Sequence, residues 1–275
     1  MLPDQQFERC SSGCLTENGD RHAKRSSTSA QDVGPTRSGA CPHDPPPCAV
    51  PEKTALIRAS GLGRRIPGDR WLIRGACLDV HPGDRLAITG PTGSGKTVLL
   101  RAVALLDPLD EGLIRYQGAP IDEESIPAYR KKVIYLHQRP ALFRGSVADN
   151  LRRPFALQVH QGKQFDRERI LGLLAALGRD ASFLDKSSRD LSGGEAQIVA
   201  LLRALQLDPA VLLLDEPSAS LDQGAGQAIE GLITRWLEQD SGARAFVWIS
   251  HDPQRVSRVA TRRLVIRCGQ LGPEA

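Results

Sequence analysis

Long apolar runs are missing from this chain of 275 residues. No segment approaches the roughly 20 consecutive apolar residues that a membrane helix needs, which predicts a chain that does not span a bilayer. Residues 1 to 20 lack any apolar stretch, so no secretory signal is expected, and Ser12-Gly13-Cys14 fails as a lipoprotein site for the same reason. The six cysteines follow no disulfide pattern, and a reducing cytoplasm is the expected setting. Aromatic residues make up 4% of the chain and interleave with no basic run, so no nucleic-acid partner is expected. Charge of either sign is not in large excess: the net charge is +4. Residues 1 to 52 hold five Arg or Lys against seven Asp or Glu, a balance of −2, which leaves about +6 for the remainder. A surplus of that size suits an ordinary solvated surface, or one facing phospholipid or nucleic acid.

Composition divides the chain. Residues 1 to 52 hold seven prolines, many Ser, Gly and Asp residues and few large apolar ones, and so predict a disordered tail. Cys10, Cys14, Cys41 and Cys48 lie there with His22 and His43, but the spacings C-x3-C and C-x6-C are not those of common zinc sites. Residues 53 to 275 suffice for one α/β core.

Within that part, Gly90-Pro91-Thr92-Gly93-Ser94-Gly95-Lys96-Thr97 fits G-x-x-x-x-G-K-[ST] at every fixed position. The apolar Arg85-Leu86-Ala87-Ile88-Thr89 reads as a buried strand before it, and Val98 to Leu106 as a helix after it. Glycines let backbone N–H groups turn around a phosphate, and a helix N-terminus adds partial positive charge there. Lys96 is then placed to reach the β- and γ-phosphates, and the Thr97 hydroxyl to ligate Mg²⁺. Downstream, Val211-Leu212-Leu213-Leu214-Asp215-Glu216 has the form of a buried parallel strand delivering acids at its C-terminal end. Asp215 is expected in the Mg²⁺ shell and Glu216 beside the attacking water, one metal-side acid and one water-side base. Between the two lies Leu191-Ser192-Gly193-Gly194-Glu195, which reads as the opening of a helix continuing through Leu207.

In that order, these three motifs resemble the ATP-binding-cassette family, over about Lys53 to Gly269. The resemblance implies that Ser192, Gly193 and Gly194 bind the γ-phosphate of ATP held by an opposing subunit. It further implies that Gln138 senses Mg²⁺ and the attacking water, that His251 is a switch histidine at the γ-phosphate, and that Ser220-Leu221-Asp222 links two active sites. Each motif occurs once, so a homodimer or heterodimer of cassettes is implied. Two positions depart from the family pattern. The stretch where an aromatic stacks on adenine reads Arg65-Ile66-Pro67-Gly68, with Trp71 later, and Ile198 follows Gln197 where a basic residue is usual.

The expected fold is α/β: a P-loop NTPase core with an antiparallel β subdomain and an inserted α-helical signature subdomain over about 147 to 190. Strands are expected near Leu56 and over Leu72 to Leu78, Arg85 to Thr89, Val133 to Leu136, Val211 to Asp215 and Phe246 to Ser250. The family implies an ATPase subunit energising a separate transmembrane permease from the inner face of the cell membrane, with Ala141 to Phe155 lining the docking groove. Leu142 to Leu151 resembles the small cassettes of metal (iron) exporters. The alternative is a soluble cassette protein of DNA repair or translation, though these usually carry two cassettes or a long coiled-coil insertion, and neither is in this sequence. A catalytically degenerate interaction protein is disfavoured by the retained Lys96, Gln138, Asp215, Glu216 and His251.

Overall fold

A computed structural model describes residues 55–66, 68 and 70–274. The expectations for the tail and its cysteines lie outside the described residues. In chain order the elements are β1 (Ile57–Ile66), β2 (Arg70–Val80), β3 (Arg85–Thr89), α1 (Lys96–Val103), β4 (Glu111–Tyr116), β5 (Ala119–Pro120), α2 (Ile126–Lys132) and β6 (Val133–Leu136). Then come α3 (Val147–Arg152), α4 (Arg167–Ala176), α5 (Gly193–Leu205), β7 (Val211–Asp215), α6 (Gln223–Glu238), β8 (Ala245–Ile249), α7 (Pro253–Val259), β9 (Arg262–Arg267) and β10 (Gln270–Pro273).

Two sheets form. An antiparallel sheet has the order β2-β1-β4-β5, and a six-stranded sheet has the order β10-β9-β3-β8-β7-β6. In the second sheet β9, β3, β8, β7 and β6 run parallel, and β10 joins β9 antiparallel at the edge. Parallel pairing requires every connection to cross back over the sheet, so the carboxyl ends of β3, β6, β7 and β8 emerge along one edge.

The apolar runs of the central strands follow from burial on both faces. In β7, Leu212 and Leu214 enter a core built with α3, α4, α5 and α6, while Val211 and Leu213 enter a second core with β1, β2 and α1. In β8, Phe246 and Trp248 join the first core, and Ala245, Val247 and Ile249 the second. This is the period-two alternation of a pleated strand, with no polar face left over. Ile198, which stands where the family pattern has a basic residue, is 1% exposed in the helical core, an environment that suits the isoleucine.

Element boundaries differ from the sequence expectation where a turn closes a helix early. The helix expected over Val98 to Leu106 runs from Lys96 to Val103. Leu105 takes φ +55°, and the Leu106 N–H returns to the Arg101 carbonyl, a left-handed closure that ends the helix before Pro108. The signature helix likewise ends at Leu205, with Asp208 at φ +52°. Two strands longer than five residues, β4 and β9, lie outside the sequence expectation; β4 begins Glu-Gly and β9 carries three arginines, so neither presents a clear apolar run. Between β6 and α5 the regular elements are helical: α3, α4 and 3-10 turns at Arg153–Ala156, Gln158–His160 and Ala181–Asp185, joined by loops. Ser146 and Asp149 cap α3 reciprocally.

Phe246 is fully buried on a central strand. Phe246→Ala is expected to destabilise the fold by about 3–5 kcal/mol, measured as the urea midpoint with an unchanged m-value. A loss below about 1 kcal/mol would show that the helical core is not packed around this strand.

Candidate functional site

Four strand ends and one helix N-terminus build the site. The loop after β3 turns through Gly90 (φ +141°), Gly93 (φ +78°) and Gly95 (φ +104°), conformations that favour glycine. Space is restricted as well: a Cβ on Gly90 would lie 2.3 Å from the Ile266 carbonyl oxygen, and one on Gly95 would lie 2.8 Å from that of Leu72. Pro91, Thr92 and Gly93 form the exposed rim of the loop, and Gly95 caps α1 in the left-handed region. Lys96 is buried, and its Nζ donates to the carbonyls of Gly90 at 2.8 Å and Pro91 at 2.9 Å. Burial lowers the Lys96 pKa, an effect opposed by the nearby carboxylates of Glu216 and Asp215. Ser94 is buried, and its Oγ makes no hydrogen bond within the described residues. A phosphate oxygen would satisfy that donor, so the loop fits a nucleotide on its own geometry.

At the end of β7, buried Asp215 accepts the Thr97 hydroxyl through Oδ2 at 2.8 Å. The same oxygen accepts the Tyr135 hydroxyl at 2.8 Å. Glu216 follows at φ +47°, a strained conformation for a non-glycine residue, and its N–H donates to the Ile249 carbonyl at 3.2 Å. The Glu216 carboxylate accepts Gln138 Nε2 at 3.4 Å on one oxygen and faces His251 Nδ1 at 3.1 Å with the other. Thus Lys96, Thr97, Gln138, Asp215, Glu216 and His251, which span 156 positions of sequence from first to last, converge at one sheet edge.

Ser192, Gly193 and Gly194 lie elsewhere on the same chain. Ser192 caps α5, its Oγ accepting the Glu195 N–H at 3.2 Å while its own N–H donates to Glu195 Oε2 at 3.0 Å. Lys186 donates to Glu195 at 2.8 Å, and that bond, with the Ser192 N–H, holds the carboxyl below its usual range. A Cβ on Gly194 would meet Leu221 Cδ2 at 2.6 Å and the Ser220 carbonyl at 3.2 Å, so the glycine lets this turn pack against the segment leading to α6. Among the described residues, no hydrogen bond joins residues 192–194 to the phosphate loop.

Two contributors escape sequence reasoning. Tyr135 reads there as a strand residue, and nothing in the chain order signals its bond to an acid 80 positions away. Trp71 reads as displaced from the adenine region, yet the hairpin pairs it directly with Arg65, whose guanidinium lies 4.7 Å from the indole centroid, with that of Arg74 at 5.2 Å. The residue after Trp71, Leu72, is the one whose carbonyl abuts Gly95. No cluster of three His, Cys, Asp or Glu residues suited to a metal occurs among the described residues, and no described helix is long and apolar enough to cross a membrane.

A family model described as ABC transporter matches residues 73–219. The protein STAR1 of Oryza sativa subsp. japonica is 38% identical over 216 residues, which cover 78% of this chain and 61% of STAR1. The probable iron export ATP-binding protein FetA of Escherichia coli (strain K12) is 32% identical over 206 residues, 75% of this chain and 89% of FetA. The solved dimeric post-hydrolysis state of the ATP-binding cassette MJ0796 bound to ADP and Pi matches with a TM-score of 0.71 over 80% of this chain and 98% of that one. Its identity of 22% makes this a likeness of fold.

Gly95→Ala combines a left-handed φ with a 2.8 Å clash against backbone. It is expected to weaken ATP binding roughly tenfold or more, as read by calorimetric titration with a non-hydrolysable analogue. An unchanged Kd would show that the loop's curvature is not needed for the nucleotide.

Proposed function

Because the chain belongs to the ABC transporter family of ATP-hydrolysing subunits, we propose that it energises transport through a separate transmembrane permease, working as a two-cassette ATP sandwich at the inner face of the membrane. The observation that carries the hydrolytic assignment is the Glu216 carboxylate between Gln138 and His251, one residue beyond an acid bonded to Thr97.

In this mechanism the amides of Gly90 to Thr97 and the Lys96 ammonium hold the phosphates of ATP. Thr97, Asp215 and Gln138 offer an all-oxygen donor set that fits Mg²⁺, which when bound neutralises charge on the β- and γ-phosphates. Tyr135 orients Asp215 through the same oxygen that Thr97 meets. Glu216 takes the proton of the attacking water, Gln138 helps place that water, and His251 steadies Glu216 and contacts the γ-phosphate. Ser192, Gly193 and Gly194 act in trans: a helix N-terminus exposed at Ser192 and Gly193 on one cassette completes the site of the other. Trp71 and its arginine neighbours take the place of the missing aromatic as the wall beside adenine.

A cleft of about 540 Å³ supports permease docking. Its lining includes His137, Ala141, Phe143, Arg153, Leu157 and Arg203. Phe143 and Leu157 are 48% and 57% exposed, unusual for large apolar side chains, and the Arg153 guanidinium lies 3.9 Å from the Phe143 ring centroid. Asn150 fixes the rim, bonding both the N–H and the carbonyl of Phe143. Residues 53–275 form the ATP-binding domain in this proposal, with the helical insertion over about 147–190. Metal (iron) export is the transport reaction, a choice that rests on the likeness to FetA.

Glu216→Gln is expected to bind ATP, to hydrolyse it roughly 10²-fold or more slowly, and to accumulate as a closed dimer in size-exclusion chromatography; unchanged turnover would remove Glu216 from the role of base. Used with ATP as bait in a mild-detergent pull-down from membranes, the same variant is expected to recover a multi-spanning permease. Recovery of soluble factors, ribosomes or DNA alone would refute the transport role. Tyr135→Phe is expected to lower divalent-metal affinity in the ATP complex roughly tenfold, read by Mn²⁺ electron paramagnetic resonance. Equal affinity would mean that the hydroxyl does not orient Asp215.

A further inference from the structure

Two helices leave the site by different routes. α6 is capped by Asp222, directly after Ser220 and Leu221, which pack on Gly194, and α7 is capped by Asp252, directly after His251. Eight residues into α6 stands Glu230, whose side chain is 8% exposed. A buried carboxylate is strongly disfavoured unless paired, and both partners of Glu230 come from α7. Arg255 Nε donates to Glu230 Oε1 at 3.1 Å. Arg258 donates through Nε to Oε2 at 3.0 Å and through Nη2 to Oε1 at 3.1 Å, a two-pronged arrangement that fixes direction as well as distance. The Arg255 guanidinium extends to the start of α6, since a Cβ on Gly226 would lie 3.8 Å from its Nη2 and equally 3.8 Å from Ser218 Cβ. Arg255 also lies 3.9 Å from Asp252, whose carboxylate accepts the Gln254 and Arg255 N–H groups at the start of α7. A run of polar contacts therefore leads from Asp252, the residue after His251, through Arg255 to Glu230 in α6, and the Arg255 guanidinium and Ser218 both lie close to Gly226 in the first turn of that helix.

We propose that Glu230 is a positioning residue which, by holding Arg255 and Arg258, locks the helix behind His251 to the helix behind the 218–222 loop, so that histidine and loop adopt one joint geometry. The proposal rests on the role given to His251 above. The histidine itself is anchored weakly: its side chain is 69% exposed, and its Nδ1 faces Glu216 Oε1 at 3.1 Å. The rigid body that carries it is α7, seven residues long with Val256 and Val259 buried, and the Glu230 pair is the polar link that sets its orientation against α6.

The test is a kinetic double-mutant cycle on the full chain. Glu230→Gln keeps the shape of the side chain and removes its charge; kcat is expected to fall roughly tenfold while KM for ATP stays within about twofold, because the phosphate loop is untouched. Loss of stability alone would lower the melting temperature without a coupling to His251. The decisive reading is His251→Ala in both backgrounds: the combined loss in kcat is expected to fall short of the product of the single losses by roughly threefold or more. Losses that multiply would overturn the lock while leaving the histidine's role intact. A His251→Ala variant of normal kcat in the parent would overturn the histidine's role and the lock together. Should Glu230→Gln not fold, Arg258→Gln enters the same cycle with the same expected shortfall, since the Arg258 side chain is 41% exposed and one arm of the pair remains.

Discussion

Burial of β7 on both faces is the constraint from which the site follows. Five consecutive fully covered residues leave this strand no register but one, because a slip of one position would exchange Leu212 and Leu214 with Val211 and Leu213 between two differently shaped cores. Fixed in that way, the strand ends at Asp215 in one place relative to β3 and β8. Thr97, at the start of α1, can then meet its carboxylate at 2.8 Å. Glu216 is forced through a left-handed turn, a strain of about 1–3 kcal/mol that the sheet's paired neighbours sustain.

The local devices around this frame divide into two kinds. Glycines at 90 and 95 are needed because backbone passes within 3 Å of where a Cβ would stand, and Gly194 lets Leu221 and the Ser220 carbonyl pack close to its helix start. Charged and capping groups set orientations: Ser192 with Glu195, Ser146 with Asp149, and Glu230 with two arginines each fix the entry or tilt of a helix. Helix placement here depends on directional polar contacts as well as on apolar burial.

Much of this was legible in the chain. Gly90 to Thr97 carry their own explanation, since the turn, the helix start and the lysine are contiguous. Val211 to Leu214 declare themselves as a strand because they are covered on both faces and hence apolar throughout, and Val133 to Leu136 because four large, mainly apolar residues follow one another, two of them buried. β4 and β9 were hidden, because partial exposure admits glycine and arginine into a strand and erases the pattern. The early ends of α1 and α5 were hidden too, because Leu105 and Asp208 adopt left-handed φ without being glycine.

The sequence by itself determined which chemical groups are available and in what local setting: a phosphate loop, an acid pair at a strand end, a capped helix start. These are properties of neighbours along the chain, where spacing and residue type suffice. Only the tertiary structure decided that Tyr135 shares Asp215 with Thr97, that Trp71 stands opposite Arg65, and that Glu230 joins the helices behind His251 and the 218–222 loop. The contacts of Tyr135 and Glu230 join segments whose separation is set by strand order and helix packing, and such long-range pairing leaves no periodic trace in the residues that make it, while Trp71 meets Arg65 through the register of the β1–β2 hairpin.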